Sequence, residues 1–287
     1  MSDPSAIEPP VLASGATSLV GRFVLPRLEA AGVETFALSR TAPAEPGWVR
    51  ADLSDPELQA KLPVCPTVLS LSPIWHLPPA LAALKSRGMK RLVAFSSTSV
   101  FTKAASPDAR EQAVVRRLAD GEAAVRAFCE AEGVAWTILR PTLIYAEGQD
   151  QNVSRLARLI ETFGVLPLAG KGDGLRQPVH ADDLAGAAIA AAASPAARDK
   201  AYDLPGGETL TYRAMAERVF EGMGRKPAIV RAPAGLWQAA FAIMRPFLPG
   251  ATAQMGARMS EDLTFDGSAA GRDFGWNPRP FRPDFKK

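Results

Sequence analysis

The run Val11-Leu12-Ala13-Ser14-Gly15-Ala16-Thr17-Ser18-Leu19-Val20-Gly21 constrains this chain more than any other segment. It reads as a short apolar strand, a tight glycine turn and the first turn of a helix. Such a turn aims unpaired backbone N–H groups and the positive end of a helix dipole at one spot. That spot suits a phosphate or a pyrophosphate.

The rest of the first half repeats the alternation of strand and helix, which argues for a parallel α/β sheet. Strands are predicted at Pro10–Ala13, Glu34–Ser39, Trp48–Ala51, Thr67–Leu71, Arg91–Ser96 and Trp136–Leu139. Helices fit at Gly21–Ala31, Pro78–Ser86 and Gln112–Glu132, with Asp55 as the cap of a short helix ending near Leu62. After Tyr145 the pattern loosens. A helix at Val153–Phe163 leads into a glycine-rich stretch, Leu168 to Gly174. A strand through Val179, an alanine-rich helix at Asp183–Ala192 and a short strand at Ala201–Leu204 follow. The tail is rich in proline and glycine and reads as a smaller, irregular lobe, with residues Arg279 to Lys287 expected to be mobile. The fold class is therefore α/β, a doubly wound parallel sheet of Rossmann type with a smaller C-terminal lobe. The division reads as residues 8–205, with 146–177 partly in the lobe, and 206–287.

Composition narrows the partners. The formal charge is +3 over 287 residues and is spread along the chain, so no polybasic nucleic-acid stripe is indicated. Two distant cysteines, Cys65 and Cys129, and two histidines, His76 and His180, give no zinc-ligand spacing. Isolated thiols suit a reducing cytosol, and the polar N-terminus has no apolar signal core, so a cytoplasmic location is expected. No run reaches the length of a membrane span. The nearest candidate, Gly235 to Leu248, carries Gln238 and Arg245 and reads as a packed helix.

The spacing Gly15-x-x-Ser18-x-x-Gly21 departs from the GxGxxG of dinucleotide-binding turns. It resembles the GxxGxxG of short-chain dehydrogenase/reductases, especially the extended NAD-dependent epimerase/dehydratase branch, which usually writes this loop TGATGF(V/I)G. Serine at position 18 keeps the N–H but adds a Cβ, so the backbone there must stay in a region open to L-residues. Its hydroxyl is a further donor to phosphate. Downstream, Asp52-Leu53 resembles the family's adenine-edge pair, and Ser70-Leu71-Ser72-Pro73 lies where its fourth strand passes the cofactor, with Pro73 in place of a glycine. Leu139-Arg140-Pro141-Thr142 resembles the "LRP/LRY" whose backbone meets the nicotinamide amide, and Gln177 to Ala185 resembles "(D)xVHVxDvA". In that last stretch Asp183 reads as a helix cap and His180 as a structural residue. The resemblance implies a cofactor set of Gly15, Thr17, Ser18, Leu19, Gly21, Ser39, Arg40, Asp52, Leu53, Leu71, Ser72 and Pro141. It covers about residues 10 to 205.

The end of the second strand separates NAD from NADP: a carboxylate bonds the ribose 2′-OH, whereas an arginine accommodates the 2′-phosphate. The family pattern puts Ser39 at the acidic position, followed by Arg40, and no Asp or Glu lies in Ala37–Thr41. NADP(H) is therefore expected over NAD(H).

The same resemblance exposes a gap. Its members use a serine, a tyrosine and a lysine for proton transfer. Arg91 to Phe101 resembles the serine segment and puts Ser97 at the catalytic serine. The YxxxK that should follow is missing: alignment through Glu122 places Val114 at the tyrosine and Leu118 at the lysine. Aliphatic side chains transfer no proton at any pH. Lys103 and His76 are candidate substitutes near the cleft, with His76 and Trp75 placed on the nicotinamide side as a substrate wall. Arg176 falls where nucleotide-sugar epimerases keep an arginine for the substrate diphosphate. The preferred reading is an NADP-dependent oxidoreductase or epimerase-like enzyme of atypical type, acting on a nucleotide-sugar or a similar small carbonyl or alcohol. The alternative is a non-catalytic dinucleotide-binding protein with a regulatory or structural role, as in the NmrA-like regulators and the complex I subunit of this fold. The resemblance also implies a homodimer through the long helices flanking the sheet, including Gln112–Glu132.

Overall fold

In the computed structural model, residues 6–104, 106–232, 256 and 258–286 are described. The helix expected over Gly235 to Leu248 lies outside them. The chain divides into two units: Met1–Pro141, Ala181–Leu204 and Asp266–Asn277 make unit 1; Thr142–His180, Pro205–Phe265 and Pro278–Lys287 make unit 2.

Unit 1 is built on short apolar strands that read as continuous hydrophobic runs because helices cover both faces of the sheet. They are β1 (Val11–Ser14), β2 (Thr35–Ser39), β3 (Trp48–Arg50), β4 (Thr67–Pro73), β5 (Arg91–Phe95), β6 (Ala135–Pro141) and, late in the chain, β11 (Lys200–Leu204). They form one seven-stranded sheet in the order β11-β6-β5-β4-β1-β2-β3. Every pairing is parallel, with Ser14 level with Leu38 on one side and Ser70 on the other. The order reverses at β1, between β2 and β4. In an open α/β sheet the crevice for a ligand lies beyond the carboxyl ends of the strands at such a switch point.

The connecting helices are α1 (Gly21–Ala30), α2 (Leu58–Lys61), α3 (Leu81–Ser86), α4 (Ser99–Thr102), α5 (Ala109–Glu132) and α7 (Ala181–Ala193), with α9 (Ser268–Phe274) returning near the end. The strongest helix is α5. Asp108 caps it by accepting the N–H groups of Arg110 and Glu111 at 2.8 and 3.3 Å, and Gly133 ends it at φ 63°. The cap lies before Gln112, so the helix starts three residues earlier than expected. Two other caps differ from the sequence reading. Asp55 bonds the Glu57 N–H at 2.9 Å, but Glu57 itself holds the cap position of α2. Helix α7 opens at Ala181, which puts Asp183 inside the first turn, where a carboxylate still favours the dipole. Its neighbour Asp182 binds Arg27 of α1 at 2.7 Å. The predicted helix at Pro78–Ser86 begins as a 3-10 turn over Pro78–Ala80, because the paired prolines offer no N–H.

Arg91 opens β5 yet is only 7% exposed. Its guanidinium donates to the Thr137 hydroxyl at 2.5 Å and to the carbonyls of Leu92, Ala135 and Ala191 at 3.1, 3.2 and 2.7 Å. Burial lowers it to about 10. A buried guanidinium without a carboxylate is tolerated because carbonyl and hydroxyl oxygens take up its donors. Both cysteines are buried, and burial raises Cys65 to about 11 and Cys129 to about 12, so neither thiol is reactive.

Unit 2 holds α6 (Val153–Phe163), α8 (Tyr212–Gly222) and three two-stranded pairs: β7 (Ile144–Tyr145) with β10 (Val179–His180), β9 (Leu175–Arg176) with β12 (Leu210–Thr211), and β8 (Leu166–Ala169) with β13 (Ile229–Ala232). The tail expected to be mobile is anchored in this unit. Phe281 is fully buried and stacks edge-on to Tyr145 at 4.9 Å. The Phe281 N–H donates to Glu208 at 2.6 Å, and the Phe285 N–H donates to the Gly222 carbonyl at 3.1 Å. One large aromatic, about 1.5–3 kcal/mol when fully buried, outweighs the local preference of a proline-rich tail for disorder.

Candidate functional site

The turn after β1 is shaped by two glycines. Gly15 has φ +72°, and a Cβ there would sit 2.8 Å from the Ser72 nitrogen and 3.1 Å from the Leu71 carbonyl carbon. Only glycine meets both demands. Gly21 is needed for a different reason: its Cβ would lie 2.4 Å from the Ala16 oxygen. Ser18, the departure from the family loop, is absent from the residues of positive φ, as an L-residue requires. Its hydroxyl accepts the Gly21 N–H at 3.1 Å and so helps to fix the start of α1. The Gly15 and Ala16 amides donate to the Leu38 carbonyl at 2.9 and 3.2 Å, which fastens the turn to β2.

Beside this turn is a cavity of about 250 Å³, all of it within unit 1. It gathers Gly15, Thr17, Ser18, Ser39, Arg40, Asp52, Leu53, Ser72 and His76 from the residues singled out in the sequence. Leu38, Ala51 and Pro73 also line it and were not singled out as site residues. Their signal was positional, since each adjoins a residue that was. Leu19, Gly21, Leu71, Pro141 and Ser97 do not line the cavity: Gly21 and Leu71 shape the turn from beneath, and Pro141 ends β6.

The polar groups of the cavity fall into two sets. Ser39 is buried and tied down: its hydroxyl shares a 2.8 Å bond with Thr17 and accepts the Thr41 N–H at 3.2 Å. Arg40 is largely exposed, with its Nη1 3.9 Å from Asp52. The amide and hydroxyl of Ser54 donate to the Asp52 carboxylate at 2.9 and 2.7 Å and hold it below the usual aspartate value, with Arg40 and His76 adding to the effect. In contrast, the buried hydroxyls of Ser14, Ser70 and Ser72 have no hydrogen-bond partner. Ser72 lines the cavity as a residue, but its hydroxyl is buried away from it. The helix-start amides, expected to be unpaired, are partly engaged: Gly21, Arg22 and Phe23 donate to the Ser18 hydroxyl, the Ser18 carbonyl and the Val20 carbonyl at 3.1, 3.1 and 3.0 Å, so what fits the phosphate chain and ribose of a dinucleotide is the tight turn itself and the cavity beside it.

His76 is placed differently from expectation. It is grouped with Ser39, Arg40 and Asp52, the residues expected at the adenosine end, and not with Ser97. It follows β4 on a 3-10 turn, Ile74–His76, that packs on α5.

Around the missing catalytic pair the structure is apolar. Leu118 is 2% exposed in the main hydrophobic core, and Val114 packs against that core. Ser97 follows β5, and its hydroxyl accepts the Ser99 N–H at 3.1 Å. Lys103 lies 3.6 Å from Glu111 on α5. One turn beyond Leu118, Glu122 is the centre of a buried network. Arg140 forks onto it at 2.9 and 2.5 Å, and the Ser96 hydroxyl donates to it at 2.5 Å. Burial alone would raise the Glu122 carboxyl, but the bonds from Arg140 and Ser96 hold it below the ordinary glutamate value. Asp203, level with Arg140 on the next strand and 3.7 Å away, is raised by burial that Arg140 only partly offsets. This network was not read from the sequence, although Glu122 and Arg140 both fall in family-like segments.

Arg176 is buried within unit 2. Its guanidinium donates to the carbonyls of Leu175 and Glu261 at 2.7 Å and of Arg258 at 2.5 Å, and lies 5.5 Å from the centre of the Tyr212 ring. Those donors serve the unit's own backbone. His180, also in unit 2, faces Glu147 at 3.2 Å and stands edge-on to Tyr145.

Residues 79–204 match the model of the NAD dependent epimerase/dehydratase family. The chain is 30% identical over 156 residues to subunit 9 of the NADH dehydrogenase [ubiquinone] 1 alpha subcomplex, mitochondrial, from Arabidopsis thaliana. That match takes in 54% of this chain and 36% of the relative's length, so it spans about a third of the curated relative. Among solved structures, an epimerase from Methanothermobacter thermautotrophicus superposes with a TM-score of 0.75 at 16% identity, covering 99% of this chain and 91% of that one. MoeE5, in complex with UDP-glucuronic acid and NAD, superposes with a TM-score of 0.72 at 19% identity and covers 95% of each chain. At these identities the likeness establishes the Rossmann-type fold.

Proposed function

We propose that this chain, a member of the NAD-dependent epimerase/dehydratase family, binds NADP(H) in the crevice of unit 1, and that it does so without a tyrosine–lysine proton relay. The observation that carries this reading is a contrast within one unit. The crevice is walled by a turn that packs on β4 so closely that only glycine fits at position 15, and Thr17, Ser18, Ser39 and Arg40 line it, whereas positions 114 and 118 are aliphatic and packed. A phosphate contact is supported by the tight turn after β1 at the cavity wall, and the preference for the 2′-phosphate by Arg40 in a strand end that carries no carboxylate.

The bound nicotinamide supplies a hydride donor or acceptor. The chain's own part is to hold the dinucleotide by the turn after β1, to fix Ser39 at the cavity wall by tying it to Thr17 and Thr41, and to present Arg40 at the rim. Val114 and Leu118 hold no proton to give. The geometry therefore favours a regulatory or structural use of the bound dinucleotide.

A second reading keeps turnover, and Ser97 favours it. Its hydroxyl accepts a backbone N–H and retains a proton, on the loop where the family's serine stands. In that reading the protein is an oxidoreductase or epimerase-like enzyme in the cytoplasm, working as a homodimer on a nucleotide-sugar or similar carbonyl. MoeE5, with its bound UDP-glucuronic acid and NAD, lends the substrate class.

Thermal unfolding with added NADPH and NADH tests the first reading. A ligand at 100 times its Kd stabilises by about 2.7 kcal/mol, a shift readily seen. We expect the larger shift with NADPH, and loss of that preference in Arg40→Glu. No shift with either cofactor refutes binding. Mixing the NADPH complex with nucleotide-sugar ketones then separates the two uses, since cofactor oxidation belongs to the enzyme reading alone.

A further inference from the structure

We infer that His76 is a specificity residue for the 2′-phosphate of NADP(H), donating to it from Nδ1 across the cavity from Arg40, and that Trp75 is the positioning residue that fixes this tautomer. The inference rests on the NADP(H) reading above and deepens it. The Trp75 indole N–H lies 2.9 Å from His76 Nε2. An indole nitrogen only donates, so Nε2 accepts and the ring's N–H stands at Nδ1. Trp75 is itself held. The Arg117 guanidinium lies 4.7 Å from the centre of its ring, and Gly121 lets α5 come close, since a Cβ there would be 3.1 Å from the Trp75 nitrogen and Cα. Ile74, just before, is fully buried. The imidazole is thus carried on a fixed turn at the wall of the cavity that Arg40 also lines.

Charge explains why a second donor is needed. The charged residues that line the cavity with His76 are Arg40 after β2 and Asp52 after β3, and Arg117 on α5 lies over Trp75. Asp52 is 3.9 Å from Arg40 and already draws on its charge. A phosphomonoester entering there meets one guanidinium that is shared with a carboxylate. An N–H donor from His76 adds a second hydrogen bond to the charged oxygens.

The test measures the Kd of NADPH and NADH for the full chain and for His76→Ala, His76→Asn and Trp75→Phe, with NMR of the ring nitrogens, which is simple because the chain has only two histidines. A hydrogen bond to a charged group predicts that His76→Ala weakens NADPH about ten-fold and leaves NADH within about two-fold. His76→Asn, whose amide nitrogen stands near Nδ1, restores most of the loss. Trp75→Phe moves the His76 proton toward Nε2 in the spectrum and weakens NADPH in part. Equal losses for both cofactors, or no loss for either, in His76→Ala overturn the role of His76. An unchanged tautomer in Trp75→Phe overturns the role of Trp75. If the unaltered chain shows no preference for NADPH, the cofactor reading has failed and this inference with it; a preference that survives His76→Ala sinks the inference alone.

Discussion

Two regions of unit 1 stand a few strands apart and have had opposite fates. At the turn after β1, a cavity remains: Thr17, Ser18, Ser39 and Arg40 line it, and Gly15 packs its turn against β4. Along α5, the side chains fill the space: Leu118 is in the core, and the buried carboxylate of Glu122 is engaged by Arg140 and Ser96. The first region leaves a cavity and the second leaves none, so one fold carries both an open crevice and a closed, packed helix within the same unit.

The comparison is broken most violently by restoring the missing lysine. Leu118→Lys puts an unpaired ammonium into the core, and we expect a loss of at least about 3 kcal/mol in urea unfolding, from burial of an uncompensated charge. Little or no loss would mean that a path for charge survives beside α5 and that the region is not closed. Gly15→Ala tests the other side. A left-handed backbone costs an L-residue about 1–2 kcal/mol, and the new methyl would press on Ser72. We expect that loss in unfolding together with loss of the NADPH-induced thermal shift. Retention of the shift would detach the turn from binding.

The smallest effect is read in pH, where two carboxylates of one network have opposite signs. The Glu122 value is lowered by folding, so its contribution is present above its unfolded value of about 4.3 and fades as pH falls through the folded value. Glu122→Gln should therefore flatten the acid limb of a stability–pH curve. The Asp203 value is raised by folding, so the protonated form favours the native state below the unfolded value of about 3.9, and that advantage is lost as pH rises through the folded value. Asp203→Asn should remove a penalty at neutral pH and raise the midpoint slightly. Parallel shifts in both variants would show that the two groups do not titrate as an opposed pair.

Much of this was legible in the sequence. The Val11–Gly21 run, the alternating strands and the absence of tyrosine and lysine at 114 and 118 are local facts, carried by glycine, by apolar runs and by spacing along the chain. Helix ends were less legible. Asp108 sets the start of α5 through bonds to Arg110 and Glu111, and competing starts cannot be told apart by periodicity alone. His76, Arg176 and Phe281 were the hardest, since each is decided by residues far along the chain. His76 joins Arg40 and Asp52 at the cavity, Arg176 spends its donors on Arg258 and Glu261, and Phe281 buries against Tyr145.

The amino-acid order alone therefore determined that the chain makes a parallel sheet with a tight glycine turn after its first strand, and that positions 114 and 118 carry no tyrosine or lysine. Backbone sterics and short-range hydrophobic pattern suffice for that. The tertiary structure decided which polar groups remain without partners and which are consumed. Whether an arginine, a histidine or a carboxylate is available to a ligand depends on what the fold brings within about 3 Å of it, and no local pattern encodes that distance.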